Sequence, residues 1–157
     1  MKPSLGGRSS NVKYIEDQTI LIDDSITLTD ADNTTLDSAI IKITNNYLAG
    51  DSLFFHANAN HVFQNPDKVS IYYSFNDSVM TLGGEAPLDS YLLALRSTQF
   101  KHVGGNPADN NNKKTRIVSF VVQDSGNAGM KKSSVTHNVT IDVIPLLDLP
   151  KIGGANT

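Results

Sequence analysis

Two stretches of strict two-residue alternation in the C-terminal half constrain this chain more than any other feature. Residues 115–123 place Val118, Phe120 and Val122 on one face and Ile117, Ser119, Val121 and Gln123 on the other. A period of two belongs to a β-strand, whose successive side chains project to opposite sides. Both faces are substantially apolar, which predicts a central strand. Over residues 134–144, Val135, His137, Val139, Ile141 and Val143 share a face opposite Thr136, Asn138, Thr140 and Asp142. That strand is expected to keep one face wet.

Seven further β-branched or alternating runs lie at residues 19–22, 25–29, 38–44, 52–56, 68–75, 79–82 and 99–103, separated by clusters of Asn, Asp, Gly and Ser. One segment breaks the period. In A-P-L-D-S-Y-L-L-A-L-R-S, residues Leu88, Tyr91, Leu92 and Leu95 recur at helical spacing, and Pro87 stands where a first-turn proline is tolerated. This predicts a short helix over residues 87–97 that uses its leucines to close the core, being too short to be stable alone. Nine short strands and one helix point to an all-β fold, an antiparallel two-sheet sandwich. A parallel α/β sheet would need repeated crossover helices.

At 157 residues the chain suits one domain with a core of adequate size. It has no cysteine, which excludes disulfides, thiolate nucleophiles, zinc–thiolate sites and iron–sulfur clusters together. Lys and Arg number 13 against 16 Asp and Glu, a formal charge of -3 that argues against nucleic-acid binding. No apolar run approaches the ~18 residues that span a bilayer, and M-K-P-S-L-G-G-R-S-S lacks the apolar centre of a signal peptide. The chain is therefore expected to be either cytosolic or one piece of a longer chain whose targeting signals lie elsewhere.

Residues 102–114 and 123–134 are polar, turn-rich and read as protruding loops, and the tail from 145 carries two prolines and a Gly-Gly pair that suit a connector. Carboxylates gather at turns: Glu16 and Asp17, Asp23 and Asp24, Asp30 and Asp32 in D-A-D-N, Asp51, Asp124 in D-S-G-N, and Asp148. Hard oxygen ligands on turns suit Ca2+, although Asp and Asn also favour turns through bonds to their local backbone. For Asp51, following Y-L-A-G, the turn-cap role is the better reading. Among the histidines, His56 and His61 flank an Asn-rich loop while His102 and His137 stand alone on strands, with no H-E-x-x-H spacing. His137, on the apolar face of its strand, is expected to be a satisfied ring rather than a ligand. No G-x-S-x-G elbow occurs, and the Gly-Gly segments lack the lysine and strand-to-helix context of a phosphate loop, so the chain reads as non-enzymatic.

The order of several motifs then adds a resemblance. Y-I-E-D-Q-T near the start, L-T-D-A-D, A-G-D-S-L, Y-L-L-A-L-R-S and R-I-V-S-F-V-V-Q-D follow one another in a way that closely resembles the cadherin-like tandem repeat of very large bacterial surface adhesins, including RTX-type secreted ones. The likeness runs from about Val12 to Pro150. In that family one repeat hands over to the next through V-N-D-A-P; here Asp148 and Pro150 stand in the matching places, with Leu147 and Leu149 replacing the asparagine and alanine.

The resemblance implies an Ig-like or cadherin-like sandwich over residues 12–146, with 1–11 a linker from a preceding repeat and 147–157 a linker to the next. It implies Ca2+ at or near the junctions, with Glu16, Asp30, Asp32, Asp124 and Asp148 as candidate metal ligands. The partners expected are neighbouring repeats of the same polypeptide and an unidentified host-cell or surface ligand, with no nucleic acid and no membrane insertion. The expected place is the bacterial cell surface, an isolated repeat being monomeric. The function implied is a calcium-stiffened spacer in adhesion. The alternatives are a glycan- or protein-binding module using loops 102–114 and 123–134, or an accessory domain of a secreted enzyme.

Overall fold

The computed structural model describes residues 2–31, 34–54, 62–64, 70–76, 78–126, 132–134 and 136–146. Among the described residues, twelve strands and one helix follow in the order β1 Ser4–Gly6, β2 Val12–Ile15, β3 Ile20–Leu21, β4 Thr27–Thr29, β5 Thr35–Asn45, β6 Asp51–Phe54, β7 Val62–Gln64, β8 Ser70–Asn76, β9 Val79–Pro87, α1 Leu88–Arg96, β10 Gln99–His102, β11 Thr115–Asp124 and β12 His137–Ile144. A seven-stranded sheet has the order β2-β12-β11-β5-β9-β8-β7, a three-stranded sheet the order β3-β10-β6, and β1 pairs with β4. The fold is an all-β sandwich with one short helix. Its inner strands, β3-β10-β6 facing β12-β11-β5, take the order B-E-D facing G-F-C of immunoglobulin-type sandwiches.

Strand parity explains where the core sits. In β11 Val118, Phe120 and Val122 are buried, and the strand lies between β5 and β12 as its two apolar faces require. In β12 Val139, Ile141 and Val143 turn inward, while Asn138 is exposed. A register shift between Leu36 and Ser38 changes the parity of β5, so that Leu36 and then Ala39, Ile41 and Ile43 all face inward. These side chains meet Ile22, Leu53 and Phe100 of the opposing layer in one core, and Tyr14 meets Phe100 edge-on with ring centroids 5.0 Å apart.

The helix lies where its spacing predicts. Tyr91 and Leu95 are fully buried, with Leu88 and Leu92 packed against the same core. Pro87 is the N-cap, Asp89 lies in the first turn and Arg96 in the last, in keeping with the helix dipole. Arg96 Nε also donates to Ile26 O at 2.8 Å, tying the helix end to β4.

Several boundaries differ from the sequence expectation. Within the segment read as an incoming linker, Ser4–Gly6 pairs antiparallel with Thr27–Thr29, and Arg8 N donates to the Asp23 carboxylate at 2.8 Å. Three residues are too few to show a period. The same holds for β2 and β7, neither of which the alternation revealed. β9 continues through Gly83 and Gly84 to Pro87, where the glycines hide the pattern. The segment 147–157, read as an outgoing linker, and His56 and His61 lie outside the described residues.

Candidate functional site

The candidate carboxylates divide between the two ends of the sandwich. β12, eight residues long and so about 25 Å from end to end, separates them. Glu16 follows β2 at the outgoing end: its N–H donates to Ile144 O at 3.0 Å, and its Oε1 accepts from Leu146 N at 2.9 Å. Asp124 closes β11 at the other end, paired with Leu36. Its buried carboxylate accepts from Lys132 N at 2.8 Å, and its own N–H donates to Lys132 O. Asp30, half-buried, follows β4 in the connection to the start of β5. Asp32 and Asp148 lie outside the described residues.

Among the described residues no three His, Asp or Glu side chains converge into a metal-binding group. A calcium shell needs six to eight oxygens, which the described carboxylates do not bring together.

A buried polar network stands at the outgoing end, where sequence reading placed only a turn cap and an isolated histidine. Asp51 does cap its turn, its Oδ2 accepting from Leu48 N at 3.0 Å. It also accepts from Arg116 Nε at 2.7 Å and Nη2 at 3.2 Å. His102 Nδ1 lies 2.8 Å from Asp51 Oδ1 and is the donor, because the carboxylate paired with Arg116 can only accept. The rest of the guanidinium is used by backbone carbonyls: Nη2 donates to Pro107 O at 2.7 Å, and Nη1 to Lys113 O at 2.9 Å and Thr115 O at 3.4 Å. All five N–H donors of a fully buried arginine are thereby matched.

Tyr14 completes the network, its hydroxyl accepting from His102 N at 3.0 Å and donating to His102 O at 3.3 Å. The Asp–His pair has the outline of a base and its orienter. It faces the interior, however, with the Cε1–Nε2 edge of the ring against Gly50. What the arrangement does is hold the loop between β10 and β11, in which Asn106, Asp109, Asn110 and Asn111 all take left-handed backbone conformations.

A third buried carboxylate anchors the N-terminal strand. Asp23 Oδ2 accepts from Arg8 N and lies 2.8 Å from His137 Nε2, and Oδ1 accepts from Ser25 N at 2.9 Å. His137 is thus a satisfied ring at the edge of the core, as its parity predicts.

Two buried tyrosines set an alkaline limit. Burial, reinforced by Asp37, holds the Tyr91 hydroxyl well above the ordinary tyrosine range while it donates to Gly84 O at 2.7 Å. Burial likewise raises Tyr14, opposed by its bond to His102 and reinforced by Asp17, Asp51 and Glu16. Above pH ~10 the unfolded chain releases these protons while the folded chain keeps them, so stability falls as pH rises. The expected slope reaches about 1.4 kcal/mol per pH unit for Tyr91. Urea unfolding at pH 9 and pH 11 checks this: Tyr91→Phe should lose less stability over that interval than the parent chain.

No family model matches this chain, and no curated protein matches it. Among solved structures it is similar to a DUF4466 family protein from Parabacteroides merdae ATCC 43184, with 11% sequence identity and a TM-score of 0.38. The alignment covers 88% of this chain and 44% of that one, so the chain spans less than half of that protein's length.

Proposed function

We propose that this chain is a non-catalytic extracellular repeat of a large bacterial adhesin, a calcium-stiffened spacer between an anchor and distal binding domains. The observation that carries this reading is the placement of the chain at the two ends of the sandwich. β1 begins beside Thr29, near the end that holds Asp30 and Asp124, and descends through β2, which runs parallel to β12. The chain leaves after Ile144 at the opposite end, beside Glu16. A module threaded in this way strings into an extended array, and each junction brings the outgoing carboxylates of one copy to the incoming carboxylates of the next. Facing carboxylates repel, and a divalent cation converts that repulsion into a stiff joint. The ordered motifs that resemble cadherin-like adhesin repeats support the same reading.

Two copies joined head to tail through residues 147–157 test it. Calcium at a hundredfold excess over its Kd should stabilise the pair by about 2.7 kcal/mol, a rise in Tm of roughly 5–10 °C. It should also lengthen the particle in small-angle scattering, and EDTA should reverse both changes. Replacing Asp30 and Asp32 by alanine should weaken the response. Indifference of both stability and length to calcium would remove the spacer reading.

The loop between β10 and β11 favours a second reading. Its exposed Asn106, Asn110 and Asn111 take left-handed backbone conformations in a loop that Arg116 ties down at Pro107 O and Lys113 O, and loops positioned by a scaffold commonly carry recognition. Glycan-array binding that disappears when residues 109–112 are replaced by Gly-Ser would favour that role.

A further inference from the structure

We infer that the pairing of β2 with β12 is a mechanical clamp that sets how much tension the module withstands. The second strand and the last lie side by side and parallel, with Val12, Lys13, Tyr14 and Ile15 opposite Ile141, Asp142, Val143 and Ile144. Tension enters β2 from the end near Asp124 and leaves β12 at the end near Glu16. A pull along that line slides one strand against the other, so all the bonds between them are loaded together. Strands pulled apart from one end would instead lose their bonds one at a time.

The clamp extends past the ladder in both directions. Beyond Ile15, Glu16 N donates to Ile144 O, and Glu16 Oε1 accepts from Leu146 N. Before Val12, Asn11 Nδ2 donates to both carboxylate oxygens of Asp142, at 3.2 and 3.3 Å. Tyr14, in the middle of β2, is fully buried and bonded to His102 on the opposing sheet, so the strand is held across the core as well as along the edge. β1, with three paired residues on β4 and the Arg8–Asp23 contact behind it, is loaded first. It gives way as a short first step. That the molecule meets tension in life rests on the spacer reading; the clamp itself does not.

Force spectroscopy in EDTA tests the clamp apart from any calcium effect. One measurement pulls the 157-residue chain through its two ends. The other pulls between a handle at the exposed Gln18, just past β2, and the C-terminal end, which peels β2 from β12 at their common end. At equal loading rate the end-to-end unfolding force should be several-fold the higher. The double variant Asn11→Ala, Glu16→Ala should raise the end-to-end unfolding rate at fixed force about tenfold. Leu53→Ala, buried on β6 away from the clamp, should lower the urea midpoint yet change that rate less than twofold. Equal forces in the two pulling directions, or a larger effect of Leu53→Ala than of the double variant, would overturn the inference. A chain that showed the clamp but no calcium response would retain this inference and lose the spacer reading.

Discussion

Arg116→Met should destabilise the folded chain by about 3–5 kcal/mol, the range expected when one partner is removed from a buried ion pair. Asp51 would keep His102 and the Leu48 amide as partners but lose two charge-assisted bonds. The backbone carbonyls of Pro107 and Lys113 would lose their side-chain donor at the same time, while Thr115 O would keep Asn46 Nδ2 at 3.1 Å. At roughly 2–4 °C per kcal/mol for a chain of this size, the melting temperature should drop by about 10 °C. Arg116→Lys should rescue little, because one ammonium cannot reach two carboxylate oxygens and three carbonyls from a single position.

Asp51→Leu in the Arg116→Met background should cost less than the two single changes summed, since no charge then remains buried alone. Urea unfolding of the four chains measures this cycle. Proteolysis of the loop that begins at Val103 should accelerate in both single variants. A loss below about 1 kcal/mol for Arg116→Met would show that the pair is only as strong as an exposed one.

The second large effect is expected at Gly50. Its φ is +108°, a conformation that side chains rarely adopt. A Cβ there would run into the carbonyl oxygen of Val103 and stand 2.9 Å from His102 Cε1. That contact cannot relax cheaply, because Val103 N is bonded to Gly50 O at 2.7 Å and His102 is fixed by Asp51 and Tyr14. Gly50→Ala should therefore lose about 3 kcal/mol, combining backbone strain with overpacking. Gly104→Ala is the matched control: its φ of +105° is nearly the same, but nothing lies within 4 Å of an added Cβ. The difference between the two losses isolates the collision. Equal losses would mean that only the backbone conformation matters.

The sandwich was legible where a strand is long enough to repeat its period. Val118, Phe120 and Val122 declared the inward face of β11, the further apolar residues Ile117 and Val121 on its other face declared its central position, and Leu88, Tyr91, Leu92 and Leu95 declared the helix. β1 and β2 were not legible, because three or four residues such as S-L-G or V-K-Y-I show no more than one period and their pairing is decided by distant partners. Arg116 was hidden by its neighbours. Beside Lys113 and Lys114 it reads as part of a basic surface cluster, whereas it shares the parity of Val118 and Phe120 and so points inward.

Asp51 shares the parity of Leu53, and His102 that of Phe100, so both also point inward. Three strands thus direct a polar side chain into the core at one end. Continuing each apolar face to its last residue is the signal that would have found the network. The division of the acidic turns between two ends was not readable from spacing, since it depends on which strands run parallel.

The parallel pairing at the sheet edge also governs how the chain reaches its fold. Asn11 and Asp142, which bond to each other beside that pair, are 131 positions apart in sequence. Closing so long a loop is entropically unfavourable and gains nothing until almost the whole chain is present, which slows folding. β2 is therefore expected to dock late, and until it does the outer edge of β12 offers unpaired amides and carbonyls to any strand of similar sequence. In a string of like modules the nearest such strand is the β2 of a neighbour, so exchange of β2 between adjacent copies is the misfolding route that this topology leaves open.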